Sequence, residues 1–138
     1  MHEITLTYHG TVTAKKNSKQ IIRNPHTGRP MLISNRRAKK QETDMAWDLL
    51  MQAKDGGWQC GEERPYSTFN IEVKIWNKDR RRRDLDNQTT AILDALVSAG
   101  IIPDDSCDYL PKISTEYKGI DNEDPRAEIY IKELAWKI

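Results

Sequence analysis

Phe69-Asn70-Ile71-Glu72-Val73-Lys74-Ile75-Trp76, running into Lys78-Asp79-Arg80-Arg81-Arg82-Arg83-Asp84-Leu85-Asp86-Asn87, is the stretch on which the fold turns. Residues 69–76 alternate apolar and polar side chains and carry β-branched residues, the pattern of a strand with one buried face. The cationic run breaks that period. From about Gln88 to Ser98 the spacing changes to that of a helix, with Ile92, Leu93, Leu96 and Val97 on one arc and Ala99-Gly100 closing it. Residues 112–118 alternate again, with Ile113, Thr115 and Tyr117 on one face, and residues 127–132 supply a last strand.

Working outward, Ile4-Thr5-Leu6-Thr7-Tyr8 reads as a first strand and residues 10–20 as a polar, basic loop. Asn24-Pro25-His26-Thr27-Gly28 is a turn between residues 20–23 and 30–33, which predicts a short hairpin. Ser34 or Asn35 caps a helix over about residues 36–54, with Met45, Leu49 and Trp47 on its buried side and Asp55-Gly56-Gly57 ending it. The order strand, hairpin, helix, strand, helix, strand, strand predicts an α+β fold: one compact domain over residues 1–138, with a mixed sheet and two main helices.

The composition bounds what such a domain does. The chain has 138 residues, 31% of them charged, and a formal net charge of only +1. A near-neutral balance argues against a protein that coats nucleic acid indiscriminately. Cations nevertheless gather at Lys15, Lys16, Lys19, Arg23, Arg36, Arg37, Lys39, Lys40 and residues 78–83, while acids dominate residues 104–108 and 121–124. Cys60 and Cys107 form no CxxC pair, and His2, His9 and His26 lack zinc-ligand spacing. No apolar run approaches membrane-spanning length, so the expectation is a soluble cytoplasmic protein with two free thiols.

Guanidinium groups attract phosphates, and paired carboxylates attract a hard divalent cation such as Mg²⁺. Asp84 and Asp86, i and i+2 in extended backbone, project to the same side and could share one ion. Asp86 or Asn87 could equally cap the following helix. Four consecutive arginines repel one another, which a merely solvated loop has no need to sustain. An EF-hand reading fails, because the sixth and twelfth positions counted from Asp84 are Thr89 and Ala95 instead of Gly and Glu. Asp104 and Asp105 are candidates for a third carboxylate, beyond a helix that returns the chain, and Asp94 for a supporting one. Together these residues predict a metal-dependent nuclease.

The block Arg80-Arg81-Arg82-Arg83-Asp84-Leu85-Asp86-Asn87, then Leu93-Asp94-Ala95-Leu96, Ala99-Gly100 and Asp104-Asp105-Ser106, resembles the RusA family of Holliday junction resolvases. The N-terminal third resembles it more loosely, through the basic loop Lys15-Lys16-Asn17-Ser18-Lys19. The resemblance implies a small, Mg²⁺-dependent, homodimeric endonuclease, often phage- or prophage-encoded, that nicks opposing strands of four-way DNA junctions. Mn²⁺ is the expected substitute ion.

Carried over by position, the catalytic and metal-binding carboxylates are Asp84, Asp86 and Asp105. Asn87, Asp94 and Asp104 are the candidates to support them. Thr90 stands where the family's lysine is expected, which leaves Lys118 or Lys78 to supply that charge. Arg80, Arg81, Arg82, Arg83, Lys15, Lys16, Asn17, Lys19 and Arg23 are the expected DNA contacts.

Symmetric cutting requires two sites related by a two-fold axis. The helix around residues 45–51 and the C-terminal strand are the candidate dimer faces. Two competing readings remain: a restriction-like nuclease using Asp104, Glu116 and Lys118, and a catalytically weak protein that only binds branched DNA.

Overall fold

In a computed structural model, residues 3–13, 19–34, 36–61 and 67–135 are described. The elements follow the predicted order: β1 (Glu3–His9), β2 (Lys19–Arg23), β3 (Pro30–Ser34), α1 (Arg36–Asp55), β4 (Ser67–Asn77), α2 (Leu85–Ser98), β5 (Lys112–Ile120) and β6 (Arg126–Ala135). β2 and β3 form a separate antiparallel hairpin. The other strands make one mixed sheet in the order β1-β6-β4-β5, in which only β4 and β5 run parallel.

Side-chain alternation places the core. Phe69, Ile71, Val73 and Ile75 of β4 are buried, as are Leu6 of β1 and Ala127, Ile129 and Ile131 of β6. These meet Met45, Leu49 and Ala53 of α1 and Ile92, Ala95 and Leu96 of α2, so both helices cover one face of the sheet. The other face carries Thr5, Glu72, Lys74, Glu128 and Tyr130, with the Arg126 guanidinium 3.9 Å from the centre of the Trp76 ring. Burying one face and solvating the other is the usual economy of a two-layer α+β domain.

Two expectations need correction, and a third is narrowed. Trp47 is 62% exposed: two positions beyond Met45, it lies about 200° around α1 and leaves the buried stripe. Lys19 and Gln20 belong to β2 and not to the preceding loop. The C-terminal strand is internal to the sheet, with β6 hydrogen-bonded to β1 on one side and β4 on the other, so only its faces are open to a partner.

The β4–α2–β5 unit positions everything that follows. α2 starts beyond the C-terminal end of β4 and runs back toward its N-terminal end. There Gly61 N donates to Gly100 O at 2.8 Å, Trp58 Nε1 donates to Ile101 O at 2.8 Å, and Phe69 N donates to Tyr109 O at 2.7 Å. Gly100 has φ +71°, and a Cβ there would stand 2.9 Å from Gly61 N, so this close approach requires glycine.

Candidate active site

The arginine loop is anchored at its base. Asn77, buried at the end of β4, accepts from Gln88 Nε2 at 2.9 Å and from Asp121 N, through its backbone carbonyl, at 2.9 Å. Gln88 also donates to Val12 O at 3.0 Å, and Lys78 N donates to Thr11 Oγ1 at 3.0 Å. Gln88 lies one turn before Ile92 and two before Leu96, on the buried stripe of α2. A polar residue in that register is the sequence signal for a buried anchor, and reading the apolar arc alone misses it.

Within the loop, Asp79 accepts from Arg81 N at 3.0 Å and from Arg83 Nη1 at 2.9 Å. The Arg81 amide, followed by the Arg83 guanidinium, holds the Asp79 carboxyl below the usual carboxylate range. Arg83 Nη1 also reaches the carbonyls of Asp79 and Arg81, and its side chain is only 11% exposed. Arg83 is expected from sequence among the DNA contacts; the structure uses it to brace the turn. Arg80, Arg81 and Arg82 remain exposed. With Asn77, Asp79, Arg83, Leu85, Gln88 and Tyr117 they line an open hollow of about 270 Å³. Tyr117, which the strand pattern assigns to an apolar face, is therefore a wall of this hollow.

The carboxylate pair sits beside it. α2 begins at Leu85, three residues earlier than expected, so Asp86 lies in its first turn and Asp84 is the N-cap. The two are not consecutive positions of an extended strand. An N-cap aspartate ordinarily accepts a backbone N–H of the first turn, worth about 0.5–2 kcal/mol. Asp84 makes no such bond. Its Oδ2 is 3.5 Å from Asn87 Nδ2, and its Oδ1 is 3.6 Å from Arg82 Nε. Asp86 Oδ1 accepts from Asn87 N at 2.9 Å. A residue that forgoes its capping bond keeps its oxygens available for another ligand. That observation weighs against a purely structural role for Asp84.

The remaining candidates lie elsewhere. Asp105 follows α2 and precedes β5, in the segment held to the N-terminal end of β4. Fourteen helical residues rise about 20 Å, so Asp84 and Asp105 belong to opposite ends of α2. Among the described residues no group of three or more His, Cys, Asp or Glu is arranged to hold a metal ion. The expected convergence of Asp84, Asp86 and Asp105 within one chain is thus not found.

Asp104 accepts from Asp105 N at 2.9 Å in that far loop. Asp94 is eight residues beyond Asp86, about 12 Å of helix rise, too far to support the pair. Asn87 is the one supporting residue that does reach it. The Thr90 hydroxyl donates to the Asp86 carbonyl at 3.0 Å.

Lys118 sits at a bulge, skipped where Ile75 pairs with Tyr117 and Trp76 with Gly119, and its Nζ is 3.2 Å from Glu116 Oε1. It does not line the hollow. Arg23 is exposed at the end of β2; the side chain of Lys19 and all of Lys15, Lys16 and Asn17 lie outside the described residues. Cys60 and Cys107 are both free thiols.

Asp84 and Asp86 suit a hard cation such as Mg²⁺, which takes one or two carboxylates and fills its other positions with water and phosphate oxygen. Within one chain the chemistry of the pair is that of a hard-cation donor set, and the triad does not assemble.

The model of the family described as Endodeoxyribonuclease RusA matches residues 9–132. The chain belongs to the RusA family. The match takes in the arginine loop, the carboxylate pair, α2 and the Asp104-Asp105 loop. Membership implies an endodeoxyribonuclease of the Holliday junction-resolving kind. No curated relative matches the sequence, and among the described residues no helix is long and apolar enough to cross a membrane.

Proposed function

We propose that this RusA-family protein is a Mg²⁺-dependent endodeoxyribonuclease that binds four-way DNA junctions as a homodimer and nicks two opposing strands symmetrically. The observation that carries the reading is the N-cap carboxylate of Asp84, which makes no capping bond, next to Asp86 and beside a hollow walled by arginines. Arg80, Arg81 and Arg82 bind backbone phosphates, which gives affinity without reading sequence. Asp84 and Asp86 hold the cation, with Mn²⁺ able to replace it. When bound, that ion supplies an activated water and offsets charge on the phosphate.

Asn87 orients the Asp84 carboxylate, and Arg82 supplies the positive charge that Thr90 lacks. Arg82 takes this role over Lys118 because it lines the hollow with its Nε 3.6 Å from Asp84 Oδ1, whereas Lys118 does not line it. Asp105 is the third carboxylate, contributed by the partner protomer. One chain separates it from the pair by the length of α2, whereas a two-fold axis can bring opposite ends of two copies together. Two such composite sites make two symmetric nicks. The protein works in the cytoplasm of a bacterial cell, on branched DNA of chromosomal or phage origin.

The test is a comparison of end-labelled four-way junctions with linear duplexes of the same sequences, each incubated with Mg²⁺, with Mn²⁺ or with chelator. Paired nicks in the junction, with linear DNA left intact and chelator abolishing the reaction, are expected. Binding without cutting under both metals would leave only a branched-DNA-binding protein, and equal cutting of linear DNA would remove the structural selectivity.

A further inference from the structure

β5 is an edge strand. It pairs with β4 on one side, and Ile113, Tyr117 and Ile120 are 37%, 47% and 45% exposed. An edge of this kind offers a row of backbone donors and acceptors to another strand, and proteins that do not use such edges blunt them. Here the blunting comes late. The bulge at Lys118 interrupts the strand only after Tyr117, leaving residues 112–117 in regular register with Asn70 through Ile75.

That regular stretch is self-complementary. Lys112, Ser114 and Glu116 share the face away from the helices, because their ladder partners Asn70, Glu72 and Lys74 do. If Ser114 lies opposite its own copy in an antiparallel pair, Lys112 faces Glu116 of the second copy, and the reverse, giving two opposite-charge pairs. On the helix side Ile113 then faces Thr115, with Tyr117 diagonal to Ile113, within reach of a long side chain. Registers centred on Thr115 or Glu116 set Lys112 against Lys118, or Glu116 against itself.

The same pairing has a consequence at the active site. Antiparallel β5 strands bring the N-terminal end of one, preceded by the Asp105 loop, against the C-terminal end of the other. At that second end lie the arginine loop and the start of α2.

We infer that β5 pairs antiparallel with β5 of a second copy of this chain, Ser114 on the two-fold axis, joining two four-stranded sheets into one. The inference rests on the dimeric reading above and names its interface. The rival surface is the outer face of α1, where Trp47 and Met51 are exposed. There Lys39, Glu42, Thr43, Ala46, Trp47 and Leu50 help line a hollow of about 470 Å³.

Charge reversal tests it, with mass by light scattering or sedimentation as the readout. Lys112→Glu and Glu116→Lys each place like charges across the axis twice. Either should weaken the dimer at least about tenfold and yield chains of 16.0 kDa where the unaltered protein has twice that mass. An equimolar mixture of the two variants should dimerise again, and so should the doubly exchanged protein. In a Cys107→Ser background, Ser114→Cys should oxidise to a covalent dimer, since facing Cα atoms about 4.5–5.5 Å apart are within disulfide reach.

Single variants that dimerise as tightly as the unaltered protein overturn the inference, as does a protein that is monomeric throughout. Dissociation by Trp47→Asp alone would assign the interface to α1. Mass is independent of cutting: a dimer through another face leaves the nuclease reading standing. Rescue by charge exchange without any junction cleavage keeps the interface and removes the nuclease.

Discussion

Asp84→Asn and Asp86→Asn are each expected to lower Mg²⁺-dependent cleavage of a four-way junction at least about 10³-fold, several kcal/mol of transition-state stabilisation. Binding of the same junction in chelator should be unchanged or tighter. Asparagine keeps the size of the side chain and, at position 84, is as good an N-cap residue as aspartate; at position 86 the loss to α2 is one favourable first-turn charge, about 0.3–1 kcal/mol. What it removes is the negative charge that a divalent cation requires and that DNA phosphates resist. Single-turnover rates with quantitative binding curves check both halves. Cleavage that survives Asp84→Asn but fails in Glu116→Ala would transfer the chemistry to β5 and the restriction-like arrangement.

The triple change of Arg80, Arg81 and Arg82 to Ala should weaken junction binding about 100-fold near 100 mM salt. It should also lower the slope of log affinity against log salt by about 2 to 3, roughly one counterion for each phosphate no longer neutralised. These side chains are exposed and wall the hollow beside the carboxylates, so truncating them removes phosphate binding without unfastening the loop. Arg83→Ala is the contrast. Its guanidinium braces Asp79 and two carbonyls, so this change should lower thermal stability and disorder the turn, with a smaller change in salt slope. Binding as a function of salt, with melting curves for each variant, separates the two roles.

Much of this is legible in the chain itself. The alternation of residues 69–76 marks β4, the apolar arc of residues 92–97 marks α2, and the arginine run with its two aspartates marks the loop and helix start of the candidate site. Three features are hidden for physical reasons. The backbone at Asp84 is extended but helical from Leu85, and nothing in Asp-Leu-Asp fixes where that change falls. Consecutive arginines look alike in sequence, yet Asp79 four positions earlier selects Arg83 for burial.

The third is the path of α2, which in sequence promises to return Asp105 to the aspartate pair. Between parallel strands, however, a helix must run from one end of the sheet to the other, and it carries the chain away from its starting point. Sequence order suggests proximity where the topology forbids it. That separation is why the proposed site takes its third carboxylate from a second copy.

Mixing Asp84→Asn protein with Asp105→Asn protein tests that assembly most directly. Each variant alone is expected to cut no junction. Co-refolded equimolar subunits should regain single-strand nicking at about a quarter of the unaltered site count, because each mixed dimer restores one intact site. Activity of Asp105→Asn alone at the unaltered rate would contradict a site shared between protomers, and so would a mixture that stays silent although mixed dimers have formed.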